Sequence, residues 1–231
     1  MKFFGTRRRE MLGALALALF LPVQAFGQYG LAPLGGQGNE TPRALQEVTV
    51  EEHLGEILPL DVRLTDHEGK SVTLGEDGWR GRPVLLCRVY YDCAMRWGRG
   101  LNGITVGMRE LNYLPGREFD IVTVSIDPKE DTELAAAKRE TMLGELGREG
   151  AEAGWYFHTA EEGEIARLAE ALGFGYRWDE ATKQWAHPAV IFFASPEGKI
   201  TRYLYGIEYK PFELRLAVTE SGEGKVGSTL D

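Results

Sequence analysis

The run Pro83-Val-Leu-Leu-Cys-Arg-Val-Tyr-Tyr91 is almost continuously apolar. A strand of this kind is buried on both faces, so other elements must cover it on either side and a sheet with one face in water is excluded. A second such run, Phe119-Asp-Ile-Val-Thr-Val-Ser-Ile-Asp127, follows it. Between the two, Leu101, Ile104, Met108 and Leu111 recur at spacings of three and four, which predicts an amphipathic helix over residues 100–114 stopped by Leu114-Pro115-Gly116. Strand, helix and strand in this order make a parallel crossover, so the fold is α/β.

The flanking segments complete the pattern. Leu60–Thr65 and Ser71–Leu74 alternate apolar and polar around the turn Asp66-His-Glu-Gly69 and read as an N-terminal β-hairpin. A helix is expected over residues 131–146, with Asp131 and Glu133 in its first turn where the helix dipole favours negative charge. Trp155–Thr159 reads as a short strand, and Ile165, Leu168, Ala169 and Leu172 as a helix ended by Gly173 at C′. A closing hairpin, Ala189–Ala194 with Ile200–Tyr205, and a helix over residues 211–221 follow. The expected architecture is one mixed sheet with flanking helices and an N-terminal β-hairpin.

Charge separates the N-terminus from the rest. The 231 residues carry −9, with 26 Lys and Arg against 35 Asp and Glu, yet Lys2, Arg7, Arg8 and Arg9 oppose Glu10 alone in residues 1–27. That stretch is +3 and the remaining 204 residues are −12, which argues against nucleic acid as partner. The basic start runs into an apolar stretch, Met11–Leu21, then Pro22 and small residues, the three regions of an export signal peptide over residues 1–27. The stretch is shorter than the roughly 20 residues of a membrane span, so cleavage near Phe26 or Gln28 is expected and no stable span remains. Arg8-Arg9-Glu10-Met11-Leu12 resembles the twin-arginine export signal, with Met where that signal usually has Phe. No Cys in the leader offers a lipid attachment point. Residues 28–45, rich in Gly, Pro and Gln, read as a flexible linker, and residues 46–231 as one domain. The expected location is periplasmic or otherwise exported.

In such sheets chemistry gathers beyond the carboxyl ends of the strands, which singles out the loop Tyr90-Tyr-Asp-Cys-Ala-Met-Arg-Trp-Gly-Arg99. Arg82-Pro-Val-Leu-Leu-Cys-Arg-Val-Tyr-Tyr-Asp-Cys93, Leu101-Asn-Gly103, Val122-Thr-Val-Ser-Ile-Asp-Pro128 and Ala186-His-Pro-Ala-Val190 resemble the SCO/SenC proteins. Gly154-Trp-Tyr-Phe157 and Tyr203–Glu208 extend the resemblance over residues 48–227. It implies a thioredoxin-like fold and a copper chaperone for assembly of cytochrome c oxidase, exported or membrane-anchored. It also implies a partner, the copper-site subunit of the oxidase or another respiratory assembly factor. That family binds copper through a C-x-x-x-C pair and a distant His, which carries over to Cys93 and His187. The second cysteine falls at Trp97, whose indole N–H is a donor and no metal ligand. Asp127 matches an acidic position near the family's copper site.

The residues can be weighed by their own chemistry. Copper(I) is soft and favours thiolate and thioether, while imidazole suits copper in either valence, so Cys93, His187 and an accessory Met95 form a coherent donor set. Arg88, Arg96 and Arg99 crowd the same segment, oppose a bound cation and would raise the thiolate fraction of Cys93. Cys87 lies six residues upstream within a strand rising about 3.3 Å per residue, beyond the ~7 Å Cα limit of a disulfide, and reads as a small buried hydrophobe. His67 sits in the Asp-His-Glu-Gly turn and is expected to be solvated, His53 follows Glu51 and Glu52 on a polar segment, and His158 ends a strand with no ligand cluster near it. Three functions remain: a copper-handling protein with the reduced ligand set Cys93 and His187, a metal-free thioredoxin-like scaffold, and a single-cysteine protein reacting with disulfide or peroxide. The first ranks highest and describes a metallochaperone rather than an enzyme.

Overall fold

The computed structural model describes residues 48–92 and 99–227. The leader, the linker and the segment holding Cys93, Met95, Arg96 and Trp97 lie outside the described residues.

The chain begins with the expected hairpin, β1 (Arg63–Asp66) and β2 (Ser71–Thr73), paired antiparallel. Asp66 closes its turn, accepting from the N–H groups of Glu68 and Lys70 at 2.9 and 2.8 Å. Leu74, expected to end the second strand, instead opens a short helix, α1 (Leu74–Gly78). The cause is local: the Glu76 carboxylate accepts the Thr73 N–H at 2.7 Å and caps a turn that an extended chain would leave open. Then come β3 (Val84–Val89), α2 (Arg99–Arg109), β4 (Asp120–Ser125), α3 (Thr132–Leu146), β5 (Trp155–Thr159) and α4 (Glu162–Ala171). A small hairpin, β6 (Arg177–Asp179) with β7 (Gln184–Ala186), precedes β8 (Val190–Ala194), β9 (Ile200–Tyr205) and α5 (Pro211–Gly222).

Seven strands form one mixed sheet in the order β2-β1-β5-β4-β3-β8-β9. β3, β4 and β5 are parallel, and the inner strand of each edge hairpin, β1 against β5 and β8 against β3, pairs antiparallel with them. β3 is thus central, as its apolar run requires. Leu85 and Cys87 point into a core shared with Leu101, Ile104 and Met108 of α2, Met142 of α3 and Leu214 of α5. Val84 and Leu86 point into the opposite core, with Leu168 of α4, Phe174 and Phe192.

Two helix ends depart from the sequence pattern for stated reasons. α2 stops at Arg109 although Leu111 remains in the core, because Arg148 donates to the carbonyls of Met108, Leu111 and Tyr113 at 2.6–2.9 Å. One guanidinium satisfies carbonyls that another helical turn would have used. Asp131 is the N-cap of α3 rather than a first-turn residue, accepting from Leu134 N–H at 2.9 Å. Gly173 follows α4 with φ +56°, and a Cβ there would stand 1.8 Å from the Glu51 carbonyl, so only glycine fits.

The histidines of the scaffold are less exposed than the sequence suggests. His67 is half-buried, with burial foremost and Arg139 next holding its imidazole below the ordinary range. His53 Nδ1 meets the Ala171 carbonyl at 3.1 Å, and His158 is fully buried in β5. All three belong to the packing. Among the described residues no helix is long and apolar enough to cross a membrane.

Candidate metal centre

β3 ends at Val89 and delivers Tyr90, Tyr91 and Asp92 to the carboxyl edge of the sheet. Two anchors fix that exit. The Tyr91 hydroxyl, fully buried, donates to the His158 carbonyl at 2.7 Å and accepts the His158 N–H at 3.1 Å. The Glu130 carboxylate accepts the N–H groups of Tyr91 and Asp92 at 2.6 and 2.7 Å and the Ser125 hydroxyl at 2.5 Å. Burial pushes the Glu130 carboxyl upward while these three donors, the Ser125 hydroxyl first, pull it back. The chain therefore reaches the residue before Cys93 with its backbone pinned to the head of α3.

His187 comes to the same edge. Its ring stands edge-on to Tyr90, centroids 5.9 Å apart, and tilts against Phe174 at 6.1 Å. Tyr90 is three residues upstream of Cys93. Nδ1 lies 3.1 Å from the Pro188 carbonyl, which can only accept, so Nδ1 carries the proton and Nε2 of the neutral ring keeps its lone pair. Burial lowers the affinity of the ring for a proton; the Pro188 hydrogen bond opposes this, and the charge of Arg88 adds to it. The result is an imidazole kept neutral at pH 7 with one tautomer favoured, the state a metal ligand needs.

Arg88 does not stand in the loop, as its place in the sequence suggests. It is 1% exposed, on the face of β3 that carries Val84 and Leu86, and donates through Nη2 to the Ile165 carbonyl at 3.1 Å. Burial pulls its guanidinium down to about 10. Asp127, half-buried just past β4, accepts the Lys129 N–H at 2.9 Å through Oδ1 and so caps its own turn. Cys87 is a free, buried thiol among the described residues, its proton held more tightly by burial. It is packed in the core as expected, and a dithiol cycle through it is disfavoured. Among the described residues no three His, Cys, Asp or Glu side chains converge as a metal cluster. Cys93 and Met95 lie outside the described residues, so His187 is the candidate ligand whose surroundings are defined.

Sequence reading missed Glu130 and the hairpin β6–β7. Glu130 stands among Asp127 and Asp131 in an acidic turn, where only its contact with residues 91 and 92 distinguishes it. The hairpin strands are three residues each and none of their positions is fully buried, so no apolar run announces them.

No family model and no curated protein matches the chain. Solved structures do. A protein of Aquifex aeolicus VF5, provisionally assigned to electron transfer, is 26% identical, with 74% of this chain and 95% of that one covered at a TM-score of 0.63. The copper-bound ScoI of Arabidopsis thaliana superposes over 74% of this chain and 99% of its own at 17% identity and a TM-score of 0.57. BsSco, a member of the Sco family of cytochrome c oxidase assembly proteins, covers 75% of this chain and 96% of its own at 17% identity and a TM-score of 0.56. Across about three-quarters of its length, the chain shares the thioredoxin-like α/β fold of these Sco structures.

Proposed function

We propose that the mature protein is an exported, Sco-type copper-handling protein that holds copper(I) between Cys93 Sγ and His187 Nε2 and passes it to a respiratory assembly target. The target that suits this reading is the copper-site subunit of cytochrome c oxidase, since BsSco belongs to a family of assembly proteins for that enzyme. The copper is cargo. A soft thiolate and one neutral imidazole make a site of low coordination, suited to release, and Met95 adds a thioether within the same loop. We assign Asp127 an accessory role in this reading, orienting a ligand or the partner. The leader of residues 1–27 supplies export, the linker of residues 28–45 follows it, and residues 46–231 form the working domain.

The observation that carries the reading is His187. Its proton is directed to the Pro188 carbonyl, and its ring packs on the strand exit that leads into Cys93. That tautomer leaves the Nε2 lone pair available to a metal. Titration of copper(I) into the mature protein, against a competing chelator, should give one tight site. Cys93→Ser should abolish it and His187→Ala should weaken it by about tenfold to a hundredfold. Equal affinity in wild type and in a variant carrying both substitutions would remove the copper reading and leave the metal-free scaffold and the single-cysteine thiol protein.

A further inference from the structure

Among the described residues, Arg88 is a buried cation without a counter-ion. Its side chain is 1% exposed, Nη2 reaches the Ile165 carbonyl, and neither Nε nor Nη1 has a hydrogen-bond partner among the described residues. The ionisable groups near it give no compensation. Burial raises Tyr176 and Tyr91 and lowers His187, so all three are neutral at pH 7. The carboxylates that reach its tyrosine neighbours are Glu162, which is exposed, and Glu130, which already holds three donors. An unpaired buried guanidinium is among the costliest arrangements a protein can keep.

A second orphaned donor lies beside the same neighbour. Trp185 Nε1 is buried with no partner among the described residues, and its ring stands 5.5 Å from Tyr176, whose hydroxyl senses the Arg88 charge. Phe174 stacks on Tyr176 at 6.1 Å and packs in the core that β3 shares on this face. Donors with no acceptors, set among aromatic walls, define what is missing. It must accept hydrogen bonds, carry one negative charge, and give up its hydration readily, because the surroundings replace few water contacts.

We infer that Arg88, with Trp185 Nε1 as a second donor, forms a binding site for one weakly hydrated monovalent anion of the chloride or nitrate class, between β3 and the segment 174–185. The site is separate in chemistry from copper handling. Bound anion stabilises the folded domain by mass action.

The test is thermal unfolding of the whole mature chain in sodium gluconate, with chloride substituted at constant ionic strength. Wild type should show a saturable rise in midpoint of about 3–6 °C once chloride reaches roughly ten times its dissociation constant, and nitrate should do the same. Arg88→Met should lose the dependence and melt higher than wild type in gluconate, because the unpaired charge is gone. Trp185→Phe should keep the dependence with a weaker apparent affinity. A wild-type midpoint indifferent to chloride, or a dependence that persists in Arg88→Met, overturns the proposal. Should Arg88→Met fail to fold, chloride-35 NMR on wild type decides: broadening reversed by nitrate supports the site, and an unbroadened line refutes it.

Discussion

Glu130→Ala should lower the unfolding free energy by about 2–4 kcal/mol and weaken copper(I) binding by roughly tenfold or more. Three donors converge on this carboxylate, two of them the consecutive backbone N–H groups of Tyr91 and Asp92. Hydrogen bonds to a charged acceptor contribute about 1.5–3 kcal/mol each in favourable cases. The desolvation that raises the Glu130 carboxyl takes back part of this, and the exposed Asp92 N–H can turn to water, which sets the net figure below the sum. Ser125, fully buried, cannot turn to water, although it also lies 3.3 Å from the Asp127 carbonyl. The copper effect arises because residues 91 and 92 lead directly into Cys93. Glu130→Gln keeps an acceptor without the charge and should recover about half of both losses. Asp127→Ala, which removes a single turn contact, should cost under about 1 kcal/mol and serves as the control. Chemical denaturation and chelator competition on the same samples check both effects, and copper affinity unchanged in Glu130→Ala would separate the strand exit from the site.

Gly103→Ala should destabilise the domain by about 2–4 kcal/mol, the opposite of what helix propensity suggests. Gly103 and Gly107 lie one turn apart on α2 and face the chain between β9 and α5. A Cβ on Gly103 would stand 2.0 Å from the Ile207 carbonyl oxygen, and one on Gly107 would stand 2.6 Å from the Tyr209 carbonyl oxygen. Both obstacles are backbone, so the helix itself must move. Alanine gains about 1 kcal/mol of propensity over glycine within a helix, too little to offset that displacement. Gly144 on α3 supplies the contrast: nothing lies within 4 Å of its added Cβ, and Gly144→Ala should stabilise by about 0.5–1 kcal/mol. Thermal melts of the two variants should shift in opposite directions. Shifts of the same sign would mean that α2 yields more readily than its contacts indicate.

These two sites mark how far the sequence could be read. The buried run of β3, the second run of β4 and the closing hairpin were legible because each is a patterned stretch in which burial dictates residue type. The Leu101-Asn-Gly103 motif was legible as a resemblance, but its reason, the carbonyl of Ile207 against the helix, lies about a hundred residues away in the chain. Glu130 was hidden for the same cause. A carboxylate in an acidic turn looks solvated until the strand exit it holds is placed beside it. Arg88 was misplaced because three arginines near one loop suggest a shared charged surface, whereas the twofold alternation of β3 assigns it to the inner face with Val84 and Leu86. His187 was identified through the family resemblance and its place before a late strand; its tautomer depends on Pro188, the residue that follows it.

The most direct test is copper K-edge X-ray absorption on the copper(I)-loaded mature protein and on His187→Ala. The expected wild-type shell holds one thiolate sulfur and one imidazole nitrogen, with a further sulfur if Met95 joins, and the imidazole signature disappears in the variant. A copper shell of sulfur alone, unchanged by His187→Ala, would contradict the assignment of His187 as the second ligand.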